Sequence, residues 1–399
     1  MSESKPPWLV AISAGRWQKS GIRSAVAAGI NVLALDNDES AEGFTIATKS
    51  IVVDIKDPEA VLAAIKSVGI VPQGVVSFAS EAGMQAAALV REYFDLDGLK
   101  TETTIALSSK VRQREIWHKS GINGPQWRKF NTASQARPFI EEIGYPCIVK
   151  PSDSAGSRGV TKLDSDEGLD DAVKSALHHS YSETAIVESF MQGTEYTVET
   201  FGDGNKIYVL AVTEKVKVSS AITTVARELK TPESPLKADI VAEIAVKALY
   251  ALDYLSGPGH IEVIMNSQGQ VGLVEAAGRG GGFMVFERLV QKASGFDIVS
   301  ATALQAIGWS IPKIINEGRS IVLRFFPSSK GIVTKIEGFE DANQILGVEA
   351  GPFVKVGQHL DAVKGDGDRL GYILSEGSTT GEAVAAADNA ESLINFEIK

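Results

Sequence analysis

Two glutamates in the second half of the chain stand on either side of a short turn. Glu262 lies in the strand predicted over residues 260–265, and Glu275 directly follows the strand predicted over residues 270–274. The residues between these strands, Asn-Ser-Gln-Gly, are typical of a hairpin turn. Because strand side chains alternate and cross-strand neighbours stand close together, both carboxylates can reach one face of one sheet. Like charges at that distance repel, and a hard divalent cation removes the repulsion.

An arginine and a cluster of glycines follow the second carboxylate. Arg279 stands four residues past Glu275, and this combination suits a metal ion that carries phosphate. The alternative from this stretch alone is a pair of solvated strand carboxylates beside a glycine-rich turn. His260 shares a strand face with Glu262, and we interpret it as a hydrogen-bonded structural histidine, with metal ligation as the alternative.

A lysine at the end of an apolar strand precedes a loop of small residues. Lys150 closes the strand predicted over residues 146–150, and Ser154 and Ser157 lie in the following loop. Small residues let backbone N–H groups approach phosphate oxygens, serine hydroxyls add donors, and the lysine adds a fixed positive charge. The pattern predicts a polyphosphate loop, but no Walker loop, because no glycine-lysine-serine run opens a helix. The alternative is a flexible hairpin tip whose lysine reaches solvent.

Residues 185–199 have the pattern of a strand, a short linker and another strand, and the linker could offer backbone groups to an adenine edge. Glu195 is a suitable acceptor for two ribose hydroxyls, because a paired diol donates two hydrogen bonds; plain surface charge is the alternative. Lys215 and Lys217 alternate along a later strand and therefore share one face. That face is either solvated or the rim of a phosphate pocket, for which Arg227 is a weaker candidate.

Length and composition limit the classes of protein to which the chain can belong. With 399 residues, 44% of them apolar and 22% charged, the chain is expected to form two or three globular domains. A net charge of -11 argues against a nucleic-acid partner or an anionic membrane surface. No apolar run is long enough for a membrane span or a signal-peptide core, which predicts a cytoplasmic protein. Cys147, the single cysteine, is interpreted as a buried small hydrophobe without chemistry.

The order of the predicted elements indicates an α/β fold with a leading doubly wound parallel sheet. Strands and helices alternate from residue 9 to residue 94, and Ser80 is predicted to cap a helix that follows the third strand. We predict domains over residues 1–108, 109–315 and 316–399, of which the last is β-rich and closes on a helix over residues 380–393. Strand ends of an open parallel sheet face the ligand.

These motifs occur in the order expected of ATP-grasp ligases, and the chain resembles that family over most of its length. The residues that carry the resemblance are Ser80-Glu81, Ser109-Lys110, Arg114, Lys150 with its serine-glycine loop, Glu188, Gly193-Thr194-Glu195, His260-Ile261-Glu262, Glu275 and Arg279. The C-terminal stretches 324–327 and 369–383 make it most similar to carboxylate–amine ligases of the amino-acid ligase kind.

The resemblance implies a role for each matched position. Phosphates of ATP would contact Lys110 and Lys150 under the loop from Ser154 to Gly159, Glu188 would lie at the adenine hinge, and Glu195 would hold the ribose. The family's metal positions fall on Glu262 and Glu275, for Mg²⁺ or alternatively Mn²⁺, and Arg279 would compensate the charge of the transferring phosphoryl group. One position departs from the pattern: Ala277 stands where the family often has asparagine, although related amino-acid ligases can also lack it.

The implied activity is ATP-dependent ligation of a small carboxylate to an amine through an acyl phosphate, with release of ADP and phosphate. Two alternatives stay open. One is a biotin-carboxylase-like or carbamoyl-phosphate-forming enzyme that uses bicarbonate, and the other is a catalytically silent ATP-binding regulatory protein. A homodimer through the leading domain is expected from the resemblance alone.

Overall fold

A computed structural model describes residues 5–154, 156–218, 225–361, 365 and 367–399. The leading segment forms a four-stranded sheet in which all strands are parallel, in the order β3-β2-β1-β4. Its elements are β1 Trp8–Ile12, α1 Lys19–Ala27, β2 Asn31–Asp36, β3 Lys49–Val52, α2 Pro58–Ser67, β4 Gly74–Val76, α3 Met84–Phe94 and α4 Thr101–Leu107. The predicted leading parallel sheet is therefore confirmed, with β3 as a strand that the sequence pattern did not reveal.

One local prediction in this segment is wrong. Helix α3 begins at Met84 after Gly83, without a side-chain cap, and Ser80 instead uses its carbonyl to accept a hydrogen bond from the Ser77 hydroxyl. The chain therefore makes a turn after β4 before it enters the helix. Because the strand order reverses between β1 and β4, this turn lies at the crevice where open parallel sheets bind ligands.

A second, smaller sheet follows in the order β5-β8-β6-β7, with antiparallel pairing. Helices α6 and α7 pack on its apolar face, where Cys147 is fully buried. The elements of this part are α5 Lys110–Lys119, β5 Trp127–Phe130, α6 Ala133–Ile143, β6 Cys147–Pro151, β7 Thr161–Leu163, α7 Leu169–His178 and β8 Ala185–Ser189. Burial raises the pKa of the Cys147 thiol to about 11, consistent with its interpretation as an inert core residue.

The largest sheet has eight strands in the order β13-β12-β9-β10-β11-β14-β18-β16. A separate three-stranded sheet has the order β17-β15-β19. The elements are β9 Thr194–Asp203, β10 Ile207–Lys217, β11 Ala226–Lys230, α8 Pro235–Ala251, β12 Ser256–Met265, β13 Val271–Ala277, a π-helical turn Val285–Leu289, α9 Val290–Ser294, α10 Ile298–Ala306, β14 Ser320–Pro327, β15 Gly331–Glu337, α11 Phe339–Ala342, β16 Val348–Pro352, β17 His359–Leu360, β18 Arg369–Gly377, α12 Thr380–Leu393 and β19 Asn395–Ile398.

The eight-stranded sheet combines strands from the predicted central and C-terminal domains. Strands β14, β16 and β18 all come from the segment after residue 315, yet they continue the sheet that holds β9 to β13. The domain bounds drawn from the sequence stay a prediction. Among the described residues, no helix is long and apolar enough to cross a membrane.

The two faces of this sheet differ in polarity where strands β9, β12 and β13 meet helix α8. Alternate residues, including Val198, Ile261 and Leu273, pack against the helix in a buried apolar cluster. Because side chains alternate along a strand, the intervening residues project from the opposite face. The helix thus covers one face and leaves the other for polar side chains.

Candidate active site

The polar face of the large sheet brings the two predicted metal-site carboxylates together. Glu262 on β12 lies directly opposite Glu275 on β13, and its other neighbour across the sheet is Thr197 on β9. The turn between the strands is closed by the Asn266 side chain, whose Oδ1 accepts hydrogen bonds from the backbone of Gln268 and Gln270. The expected hairpin and the common face of the two glutamates are therefore confirmed.

The next row of the same face holds His260 between Glu199 and Ala277. Nδ1 of His260 lies 2.5 Å from Oε1 of Glu199, a carboxylate that is only 1% exposed, and Nε2 lies 3.6 Å from Oε1 of Glu262. Burial opposes protonation, but the carboxylates of Glu199 and Glu262 outweigh it and raise the pKa of His260 to about 10. The interpretation of His260 as a hydrogen-bonded histidine is confirmed, and its partner Glu199 was not anticipated.

Both central carboxylates are ionised in this environment. Burial favours their neutral forms, but Lys215 and His260 hold the pKa of Glu262 well below its usual range. Lys110 likewise outweighs burial and the repulsion from Glu262 and lowers the pKa of Glu275. The lysine nitrogens lie 3.5 Å from Oε1 of Glu262 and 2.9 Å from Oε2 of Glu275. Two adjacent carboxylate anions are thus held in place by cations on both sides.

Lys110 connects the hairpin to the predicted phosphate loop. It opens helix α5, whose first turn is capped by the Ser109 hydroxyl accepting from the Arg112 backbone. Its Nζ donates to the carbonyl of Ser154 over 2.8 Å as well as contacting Glu275. Burial lowers the pKa of Lys110, but the charges of Glu275 and Glu81 more than offset this and raise it. The loop and the carboxylate pair therefore share one ammonium group.

The loop after β6 contains the two serines predicted to contact phosphate. Ser154 is buried, and Ser157 is half-buried with a left-handed backbone at φ 60°. Ala155, which belongs to the predicted loop, lies outside the described residues. A non-glycine residue with positive φ is uncommon, and such positions cluster at ligand-binding loops.

Lys150 and Glu188 form a buried cluster with Arg114. Glu188 lies 2.8 Å from the Lys150 ammonium and accepts a 2.8 Å hydrogen bond from Nε of Arg114. Burial favours the neutral form of this carboxyl, but Arg114 and Lys150 outweigh it and lower the pKa of Glu188. Glu188 is therefore a buried anion shared by two cations.

Glu195 is buried between two lysines of the neighbouring strand. Lys215 lies directly opposite it on β10, with an N–O distance of 2.5 Å, and Lys217 lies 2.7 Å from its other oxygen. Since Lys215 also approaches Glu262, one lysine lies between the predicted ribose and metal positions. Arg227 contacts the Phe325 carbonyl and Glu391 of α12, and so faces the C-terminal helix.

Arg279 faces the leading domain. Its guanidinium donates to Oε2 of Glu81 through Nη2 at 3.0 Å and Nε at 3.3 Å. Glu81 lies in the turn after β4, at the ligand crevice of the parallel sheet. Glu81 belongs to the pair Ser80-Glu81 that carries the family resemblance, and that pair was the available sequence signal for its position in the site.

The chain after Arg279 follows a constrained path. A Cβ at Gly280 would overlap the Phe286 ring, and one at Gly281 would crowd Val285. Phe283 and Met284 then adopt left-handed backbone angles, φ 50° and 72°, immediately before the π-helical turn. Left-handed backbone at non-glycine residues is enriched at functional sites, which fits the position of Phe283 and Met284 shortly after Arg279.

Two parts of the chain match domains of known protein families. Residues 143–287 match the ATP-grasp domain, and residues 324–399 match the L-amino acid ligase C-terminal domain 2. The uncharacterized protein y4rH of Sinorhizobium fredii is 26% identical over 338 residues, which cover 81% of this chain and 68% of that protein. The mitochondrial arginine-specific carbamoyl phosphate synthase large chain of Neurospora crassa is 25% identical over 271 residues, 66% of this chain but only 22% of that protein.

Among solved structures, the L-amino acid ligase of Bacillus licheniformis has the same fold over nearly its whole length. The TM-score is 0.84 at 20% sequence identity, with 99% of this chain and 100% of that chain covered. The two domain matches, the order of the site residues and this fold agree with one another. The chain therefore contains an ATP-grasp domain and a C-terminal domain of the L-amino acid ligase type, and it has the ATP-grasp fold.

Proposed function

We propose that this protein joins a small carboxylic acid to an amine at the expense of ATP, with release of ADP and phosphate, and that amino acids are its substrate class. The observation that carries the proposal is the ionised pair Glu262 and Glu275, held opposite each other with Lys110 and Lys215 against their oxygens. The C-terminal domain match supports the amino-acid substrate class.

The donor set fits Mg²⁺, with Mn²⁺ as an alternative ion. Glu262 and Glu275, which lie opposite each other on neighbouring strands, would be the ligands that the protein supplies. Mg²⁺ characteristically binds through one or two carboxylates, substrate phosphates and water. The chemistry that such an ion supplies is neutralisation of charge on the triphosphate.

The remaining side chains would bind and orient ATP. Lys110 and Lys150 provide fixed positive charges for its phosphates, beneath the loop that contains Ser154 and Ser157. Glu195 would accept the ribose hydroxyls after exchanging one of its lysine partners. Phosphoryl transfer requires little covalent chemistry from the protein, so positioning and charge are the main contributions of these residues.

The reaction proceeds in two displacements. An oxygen of the acid attacks the γ-phosphorus, the bond from that phosphorus to the bridging oxygen breaks, and ADP leaves. The nitrogen of the amine then attacks the acyl carbon, phosphate leaves, and the nitrogen loses a proton. Arg279 compensates negative charge at the transferring group. Because Arg279 contacts Glu81, the crevice of the leading domain lies beside this arginine, and the acid or amine would bind in that crevice.

The similarity to a carbamoyl phosphate synthase favours a second candidate, in which bicarbonate replaces the organic acid. The C-terminal domain match argues for the first. A cytoplasmic location and a homodimer stay predictions.

One assay separates these functions and the catalytically silent alternative. Purified protein with MgATP would be tested for ADP release in the presence of pooled amino acids, pooled small acids, or bicarbonate with ammonia. We expect release that depends on amino acids and is accompanied by a new amide detected by mass spectrometry. Release only in the mixture of bicarbonate and ammonia would support the second candidate, and ATP binding without release under every condition would contradict both proposals.

A further inference from the structure

Strand β13, which carries Glu275, is an edge strand, but its outer side is hydrogen-bonded. Gln113 of helix α5 donates from Nε2 to the carbonyl of Ala276 over 2.8 Å, and its Oε1 accepts from the N–H of the same residue over 3.1 Å. A neighbouring strand satisfies the two backbone groups of a residue in the same way. Gln113 is 2% exposed, so this contact lies inside the protein.

A second residue of the helix contacts the strand on the other side of Glu275. Glu262 is opposite Glu275 and Val263 is opposite Leu273, so the register skips Val274, which is a β-bulge. A bulged residue is left unpaired in the ladder. Nη2 of Arg114 donates to the Val274 carbonyl over 2.6 Å, while its Nε bonds to Glu188.

These contacts come from one face of one helix. Lys110, Gln113 and Arg114 are related by i, i+3 and i+4 spacing, which places them side by side. Lys110 contacts the carboxylate of Glu275, and the other two hold the backbone immediately before and after it. The side chain and both flanking backbone units of Glu275 are therefore held by helix α5.

We propose that Gln113 and Arg114 are positioning residues, which replace the missing strand neighbour and orient the carboxylate of Glu275 toward Glu262. This inference rests on the proposed function, because the orientation matters only if the two carboxylates share a metal ion. Partners that orient metal ligands typically change metal affinity or activity about 10- to 100-fold when they are mutated.

The opposite edge of the same sheet offers a matched control. Asn343 donates from Nδ2 to the carbonyl of Ala350 on β16 over 3.0 Å, and its Oδ1 accepts from the Ala350 N–H over 2.9 Å. The amide makes the same pair of hydrogen bonds to an edge strand, away from the predicted metal site. Gln113→Met and Asn343→Leu each replace an amide with an apolar side chain of similar size.

The experiment measures Mn²⁺ binding in the presence of ADP by electron paramagnetic resonance, together with the thermal midpoint and turnover. In Gln113→Met we expect the dissociation constant for Mn²⁺ to rise about 10- to 100-fold. In Asn343→Leu we expect a change below about threefold, and a smaller fall in the thermal midpoint because Asn343 is exposed. Equal effects on Mn²⁺ binding in the two variants, or wild-type binding in Gln113→Met, would overturn the inference.

Arg114→Lys tests the second residue and keeps a positive charge beside Glu188. A lysine has no planar fork with which to bond Glu188 and the Val274 carbonyl together, so we expect Mn²⁺ affinity to fall about tenfold. Wild-type affinity in this variant would show that charge alone suffices and would overturn the role of Arg114. Absence of Mn²⁺ binding with ADP in the wild-type protein would instead overturn the proposed function, and this inference with it.

Discussion

The two edge strands of the eight-stranded sheet are each bound by an amide side chain, but the carboxylates beside them differ in their surroundings. At β13 and at β16 an amide side chain bonds both backbone groups of one strand residue. At β16 the adjacent carboxylate, Glu349, is bound by Arg288 and by the Tyr372 hydroxyl. At β13 the adjacent carboxylate, Glu275, lies opposite another carboxylate.

The two carboxylates differ in the charges that surround them. Glu349 accepts hydrogen bonds from Arg288 and Tyr372, and a contribution to stability accounts for these contacts. Glu275 remains ionised beside a like charge, with Lys110 as compensation. A like-charged pair that the fold maintains has a physical use when a divalent cation binds between the two groups. The two facing carboxylates, and not the amide bonded to the strand edge, are the reason we propose a functional site at the β13 side.

The largest expected effect comes from removing one carboxylate at each edge. Glu275→Ala should lower ADP formation on the order of 1000-fold, because several kcal/mol of charge stabilisation on the triphosphate depend on the metal site. Glu349→Ala should change turnover by less than about threefold, since it breaks contacts that serve stability. Coupled-assay measurements on both variants check this. Comparable losses would show that the two edges do not differ in the way described.

Removing the nearby arginine at each edge should have the next largest effect. Arg279→Ala should reduce kcat about 100- to 1000-fold, the range typical of losing one group that stabilises transition-state charge. Nucleotide affinity, measured by calorimetry, should stay within about threefold of the wild type. Arg288→Ala, which releases Glu349 at the other edge, is the control and should leave kcat nearly unchanged. A normal kcat in Arg279→Ala would refute its assigned role.

A third variant measures how much the buried ion pairs of Glu188 contribute to stability. In Glu188→Gln the cations of Lys150 and Arg114 lose their shared anion in a site closed to water. We expect the free energy of unfolding in urea to fall by about 3 kcal/mol, as for other broken buried pairs. Glu243→Gln, which breaks an exposed helical pair with Lys247, should leave the urea midpoint unchanged. An unchanged midpoint in Glu188→Gln would mean that its partners find other anions.

The smallest effect is expected at the β16 edge. Burial and the Glu349 carboxylate raise the pKa of Tyr372, so its hydroxyl stays protonated and donates to Glu349 over 3.0 Å. Tyr372→Phe should reduce the free energy of unfolding by about 1 kcal/mol, the usual net value of one hydrogen bond. Turnover should stay within about twofold. A large loss of turnover would place this edge within the active site and remove the contrast with β13.

Several features of this protein follow from short-range patterns in its sequence. The turn at Asn266 and the alternating pattern predicted the hairpin that carries Glu262 and Glu275, but it is the β-bulge at Val274 that places these two residues directly opposite each other. Helix α12 spans the residues expected from its periodicity. Alternating strands and helices also predicted the leading parallel sheet. These predictions succeeded because they depend on contacts between residues close together in the chain, where spacing alone limits the geometry.

Other features depend on partners that are distant in sequence. The pairs Gln113 with Ala276, Arg279 with Glu81 and Glu199 with His260 join residues more than 60 positions apart. No local pattern identifies which buried amide will face which strand edge, because many polar residues could satisfy the same backbone groups until packing brings one of them there. The sequence by itself thus determined which carboxylates lie on neighbouring strands of one hairpin, because a short turn limits the pairing. Only the tertiary structure decided the bulge that makes them face each other, the helix that contacts Glu275 and the residue that faces Arg279, because these depend on packing between distant parts of the chain.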